Sequence, residues 1–130
     1  MTYEQIKLQL AVLTDGLLYI SESERPFDVM EITGDAVAFF SSVTNLPAAD
    51  FTSADAGDFF SKMIRNASAD PADAVMMQLG KRYEALQGFL DANLTALRLY
   101  RAGSREVHIF ISGKTANGRE LALHTAAVET

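Results

Sequence analysis

Val107-His108-Ile109-Phe110-Ile111-Ser112, joined through Gly113-Lys114-Thr115-Ala116-Asn117-Gly118 to Leu121-Ala122-Leu123-His124-Thr125-Ala126-Ala127-Val128, decides the fold. Val107, Ile109 and Ile111 alternate with His108, Phe110 and Ser112, the period-two pattern of a strand. Leu121 to Val128 returns as the final strand. Asn117-Gly118 between them predicts a tight two-residue type I′ turn. Both faces of this pair carry apolar residues, Ile109 and Ile111 on one, Phe110 and Leu123 on the other. A sheet that is apolar on both sides needs cover on both sides. Helical patterns elsewhere supply it, so the expected fold is α+β: a three-layer α/β/α sandwich around a mixed β-sheet.

Working outward, Leu97, Leu99 and Tyr100 lead into a turn at Ala102-Gly103-Ser104. Before them, Val75, Met76, Leu79, Tyr83, Leu86, Leu90 and Leu94 form a long helical stripe read as core-facing, and Pro71 is placed to open that helix. Asn66-Ala67-Ser68-Ala69-Asp70-Pro71 is a turn-rich connector. Phe59, Phe60, Met63 and Ile64 mark the preceding helix, with Thr52 or Ser53 as its expected cap. Val37, Phe39, Phe40 and Val43 fit a short helix ending near Asn45-Leu46-Pro47. Phe27, Val29 and Ile32 read as a first strand closed by Thr33-Gly34-Asp35. At the start, Tyr3, Ile6, Leu10, Leu13 and Leu17 recur at helical spacing behind Thr2 as N-cap, and Asp15-Gly16 stops the helix. No repeat, low-complexity segment or boundary divides the chain, so residues 1–130 are expected to form one domain.

The chain's 130 residues are 48% hydrophobic and 22% charged, which suits a packed core and is too apolar for disorder. A net charge of −6 opposes sequence-independent attraction to nucleic acid or an anionic membrane. The same charge is compatible with a basic protein partner, but on charge alone plain solubility is the better account. There is no cysteine, which excludes disulfides, thiolate catalysis and cysteine zinc sites and fits a cytoplasmic protein. Met1-Thr2-Tyr3-Glu4-Gln5-Ile6-Lys7 lacks the basic start and apolar run of a signal peptide, and no stretch reaches membrane-spanning length.

Catalytic chemistry finds little footing, and no catalytic residue is assigned. A two-residue turn pairs Ile111 with His124 and His108 with Ala127, which sets the only two histidines on opposite faces, unable to share a metal. No Gly-x-Ser-x-Gly elbow is present, and Gly113-Lys114-Thr115 lacks the leading glycine and spacing of a phosphate loop. Glu22 and Glu24 resemble a hydrolase acid pair only in spacing, with no cleft marked around them.

Those two carboxylates belong to Asp15-Gly16-Leu17-Leu18-Tyr19-Ile20-Ser21-Glu22-Ser23-Glu24-Arg25-Pro26-Phe27-Asp28-Val29, which runs from a glycine break through an apolar patch into an acidic tip. Ser21-x-x-Glu24 matches a capping box in form, but Pro26 is ill placed in the helix that should follow. A non-helical loop, held by apolar residues on both sides, is the better reading. This segment resembles the signature of the nuclease A inhibitor family. Phe59-Phe60-Ser61, Tyr100-Arg101-x-Gly103, Gly113-Lys114-Thr115-Ala116-Asn117-Gly118 and the terminal Val128-Glu129-Thr130 match in family order.

The resemblance implies an inhibitor of a sugar-nonspecific, metal-dependent DNA/RNA endonuclease, with a sandwich similar to pathogenesis-related class 1 proteins. It implies that Glu22 reaches into the nuclease active site and that Thr130 meets the partner's catalytic divalent metal. Ser21, Ser23, Glu24 and Glu129 are expected to shape that surface. No cofactor of its own and no direct nucleic-acid or membrane contact are expected. A carboxylate is a suitable stand-in for a phosphate oxygen at a hard cation, and a rigid loop lowers the ordering cost of binding. The alternative is a non-catalytic binding or regulatory module with a different protein partner. One departure bears on that choice. Family members can present a tryptophan with acidic neighbours between the middle helices, whereas this chain has no tryptophan and reads Asn66-Ala67-Ser68-Ala69-Asp70-Pro71-Ala72-Asp73 there.

Overall fold

The computed structural model describes residues 1–129. Helix α1 (Tyr3–Thr14) opens with a capping box, in which Thr2 Oγ1 accepts the Gln5 amide at 3.2 Å and Gln5 Oε1 accepts the Thr2 amide at 2.8 Å. Tyr3, Ile6 and Leu10 are buried as their spacing predicts. Leu17, read as part of the same stripe, lies beyond the helix and is still fully buried. The chain then forms a small antiparallel pair, β1 (Leu18–Ile20) with β2 (Glu24–Pro26), where a loop was expected. Next come β3 (Asp28–Ile32), α2 (Ala36–Thr44), β4 (Thr52–Ala54), α3 (Ala56–Ala67), α4 (Ala74–Asn93), β5 (Thr95–Ala102), β6 (Glu106–Lys114) and β7 (Glu120–Val128).

The main sheet runs β3-β7-β6-β5-β4, and all four of its strand pairings are antiparallel. This corrects the mixed sheet expected from the sequence. Parallel neighbours need a crossover connection. Here α2 lies between β3 and β4, which occupy opposite edges, and the last three strands follow one another through short turns. No helix connects adjacent strands of like direction.

Two cores flank the sheet. Val107, Ile109, Ile111, Leu121 and Leu123 pack with residues of α1, α3 and α4, including Leu10, Phe60 and Leu86. On the other face, Ile32, Phe110 and Ala122 pack with Phe40 of α2, whose ring stacks on Phe110 at 4.0 Å between centroids. Each large ring removes roughly 150–250 Å² from water, so Phe40 and Phe110 dominate this smaller core. Helices cover both sides, as the apolar patterning requires.

Three helix readings are corrected. Thr52–Ala54 is an edge strand, and Asp55 caps α3 through a 2.7 Å bond from the Gly57 amide to its carboxylate. Asp73, not Pro71, opens α4 by accepting the Met76 amide at 3.0 Å. Val75, assigned to the core stripe, is 79% exposed in the first turn of α4.

The largest correction is to the β6–β7 register. The last ladder pair is Lys114–Glu120, after which the Thr115 amide donates to the Arg119 carbonyl at 2.8 Å. The loop therefore contains three residues, Ala116, Asn117 and Gly118. Gly118 has φ +81°, but Asn117 is not left-handed, which excludes type I′. The Asn117 carboxamide explains this choice, because its oxygen accepts from the Thr115 hydroxyl and from the Arg119 amide. Adding one residue slips the pairing by one: Phe110 faces His124, Ile111 faces Leu123 and His108 faces Ala126. A one-residue slip exchanges the faces of a whole strand. Leu123 joins Ile109 and Ile111, while His124 moves to the side of Phe110 and His108.

Candidate functional site

β1 and β2 form a finger in the register Leu18–Pro26, Tyr19–Arg25 and Ile20–Glu24, with Ser21, Glu22 and Ser23 at the tip. The Ser21 amide donates to the Ser23 carbonyl at 2.9 Å, closing the tip into a tight turn. Ser21 Oγ accepts the Ser23 amide at 3.3 Å and lies 3.4 Å from the Ser23 carbonyl. Glu22 is exposed at the tip and Glu24 is exposed at the start of β2. Ser23 Oγ is buried with no hydrogen-bond partner among the described residues.

The base of the finger is held by the helices. Tyr83 of α4 donates its hydroxyl to the Leu18 carbonyl at 2.6 Å. Burial, then the neighbouring Tyr19 hydroxyl, push the Tyr83 phenol up to about 12, so it remains a donor at ordinary pH. Arg82 donates to the carbonyls of Leu13 at 3.1 Å and Asp15 at 2.7 Å, fixing the turn into β1. Tyr19 stacks on Phe59 of α3 at 5.4 Å and meets Phe27 edge-on at 6.3 Å. These rings and backbone bonds limit the freedom that binding would otherwise remove.

The tip is also tied to the end of the sheet. The Val128 amide donates to Ser21 Oγ at 3.1 Å. The Glu129 amide then donates to the Arg105 carbonyl at 2.8 Å, and its carboxylate pairs with Arg101 at 2.9 Å. Ser21 and the chain's final segment are thus neighbours, and Glu22 and Ser23 share the same tip. Thr130, expected to act beside them, lies outside the described residues.

Sequence reasoning missed the surface next to the finger. Leu18, Ile20, Val75, Met76 and Leu79 line an open groove of about 530 Å³ between β1 and the start of α4, with Glu24 and Arg82 on its rim. Ile20 is 41% exposed. The signal was present in Val75, which falls one residue outside an α4 stripe that begins with Met76. Asp70 and Asp73 of the connector have local duties. Asp70 accepts the Ala72 amide at 3.0 Å, and Asp73 caps α4.

The histidines that the expected register kept apart are in contact. His108 Nδ1 and His124 Nε2 lie 2.9 Å apart, and both rings are mostly buried. Burial, then the nearby His108, lower the His124 pKa, while Asp28 and Glu106 act in the opposite direction. Among the described residues, no group of three or more His, Asp or Glu side chains could hold a metal ion. No helix of the structure is long and apolar enough to cross a membrane.

A protein-family model described as nuclease A inhibitor-like protein matches residues 4–130, nearly the whole chain. No curated protein matches it.

Proposed function

The chain belongs to the nuclease A inhibitor-like family, and on that premise we propose that it is a protein inhibitor that occupies the active site of a metal-dependent, sugar-nonspecific endonuclease. The observation that carries this reading is the finger: an exposed glutamate on a closed three-residue tip, braced by Tyr83, Tyr19 and the Val128–Ser21 bond. A nuclease active site offers a hard cation and basic groups that normally receive phosphate oxygens. Glu22 presents carboxylate oxygen to that environment without a scissile bond. Thr130 supplies a second contact toward the partner's metal, while Ser21, Ser23, Glu24 and Glu129 shape the rim. The net charge of −6 would speed encounter with a basic partner, more so at low salt.

In this reading the protein is not an enzyme, needs no cofactor of its own and acts in the cytoplasm. The sandwich resembling pathogenesis-related class 1 proteins belongs to the same reading. Titration into such a nuclease should abolish activity at a fixed molar ratio. Glu22→Ala, and separately removal of Thr130, should weaken inhibition by at least about 30-fold, the effect of losing one member of a buried charged contact worth 2 kcal/mol or more. Undiminished potency of both variants would remove these residues from the site.

The absent tryptophan supports a second reading, in which the same finger serves a different protein partner. Failure to inhibit any metal-dependent nonspecific nuclease, together with recovery of a non-nuclease partner whose binding needs Glu22, would favour it.

A further inference from the structure

The two histidines sit where the finger meets the main sheet. Their rings are nearly coplanar, at 12°, with centroids 5.2 Å apart. That separation exceeds the roughly 3.5–4.0 Å of face contact, and with nitrogens 2.9 Å apart it is an edge-to-edge arrangement. The distance is that of a hydrogen bond, so one proton lies between the two facing nitrogens. The outward nitrogens face carboxylates: His108 Nε2 is 3.5 Å from Glu106, and His124 Nδ1 is 3.9 Å from Asp28. Arg25 of β2 stands 3.6 Å from the same Glu106. Asp28 opens β3 opposite His124, Phe110 of β6 stacks on His124 at 4.5 Å, and β5 places Ala102 opposite His108.

Proton counting distinguishes three states. A neutral pair carries two N–H groups; one fills the inner bond and the other can serve only one carboxylate. A pair with one added proton carries three, which satisfies the inner bond and directs an N–H toward both Glu106 and Asp28. A pair with two added protons has an N–H on each inner nitrogen, and these cannot remain 2.9 Å apart. We propose that His108 and His124 form a proton-sharing pair that bridges β6 and β7 beside the finger's base near neutral pH, breaks when the second proton binds, and through Glu106 loosens the Arg25 contact of the finger.

The release follows from the neighbours. Glu106 offers one carboxylate oxygen to His108 and the other to Arg25, so when the inner bond is lost and His108 shifts, the contact that reaches the finger shifts with it. His124 is driven against Asp28, which lies just beyond the end of β2. The Glu106 side carries the change to Arg25 of β2. Burial of His124 and its closeness to His108 lower the His124 pKa, so acidification is the direction that breaks the inner bond. The proposal concerns the fold and goes beyond the inhibitory reading.

The test is nitrogen-detected NMR of the full chain between about pH 8 and pH 5. Near neutral pH, coupling across the N–H···N bond should link His108 Nδ1 to His124 Nε2. On acidification that coupling should vanish, and the amide shifts of Ser21 to Arg25 should move with the same midpoint. In His108→Gln those finger shifts should lose their dependence on pH over this range. Absence of the coupling at neutral pH, independent titration of the two rings with a static finger, or finger shifts that persist in His108→Gln would each overturn the proposal. Should His108→Gln fail to fold, the coupling and common midpoint in the unsubstituted protein decide alone. A protein that behaves this way yet inhibits no nuclease keeps the pair and loses the inhibitory reading.

Discussion

The backbone amide of Val128 donates to the side-chain oxygen of Ser21 across 107 positions of sequence. This bond joins the tip of the finger to the final strand, and it fixes which surfaces a partner meets together. Ser21→Ala leaves the Val128 amide without its acceptor and should lower stability by about 1–2 kcal/mol. Chemical denaturation measures the loss, and faster hydrogen exchange at Val128 locates it. An unchanged exchange rate at that amide would show that the bond does not hold the tip.

Tyr83 should give an alkaline signature. Its folded pKa of about 12 exceeds the ordinary value of 10, so the native state keeps its proton where the unfolded chain releases it. Stability should therefore be intact below pH 10 and decline as pH rises toward 12. Tyr83→Phe should flatten that part of the decline and cost about 1 kcal/mol at neutral pH through the lost bond to Leu18. Denaturation midpoints of both proteins across this range check the sign.

His124 acts at the other end of the scale. Its folded pKa is lowered, so the unfolded chain binds protons more readily. Stability should be complete above the ordinary histidine value near 6.5 and fall as pH drops from there through the folded value. His124→Phe should reduce this slope. An equal slope in both proteins would assign the acid sensitivity to other groups.

Two glycines should respond unequally to alanine. Gly118 has φ +81° but open space around it, so Gly118→Ala should cost about 1 kcal/mol from backbone strain alone. Gly103 has φ +111°, and a Cβ there would lie 2.2 Å from the Glu106 carbonyl oxygen. Gly103→Ala should be the more damaging change, displacing the β5–β6 turn. Comparison of thermal midpoints ranks them, and equal effects would contradict the packing at Gly103.

The parts of the fold legible in the sequence were those set by local chemistry. Thr2 as N-cap, the glycine after α1 and the alternation through Val107–Ser112 each announce their element. The cover on both sheet faces follows from apolar patterning. Strand pairing was less legible, because Asn117-Gly118 suits more than one hairpin loop and the carboxamide contacts that select three residues form only in three dimensions. From that single residue follow the wrong face for His124 and the apparent separation of the histidines. The acidic tip was readable as Ser21 to Glu24. Its clasp to Val128 was not, since no local pattern encodes a hydrogen bond over so long a span.

The outer strands of the antiparallel sheet also bear on how the protein behaves when crowded. An unpaired strand edge can recruit another chain and begin polymerisation. Here one border, β4, is only three residues long, and the other, β3, carries Asp28 and Glu31 among its five. Brevity on one side and carboxylates on the other make both borders poor templates for a growing fibre, which leaves the finger free to project without inviting sheet-to-sheet assembly.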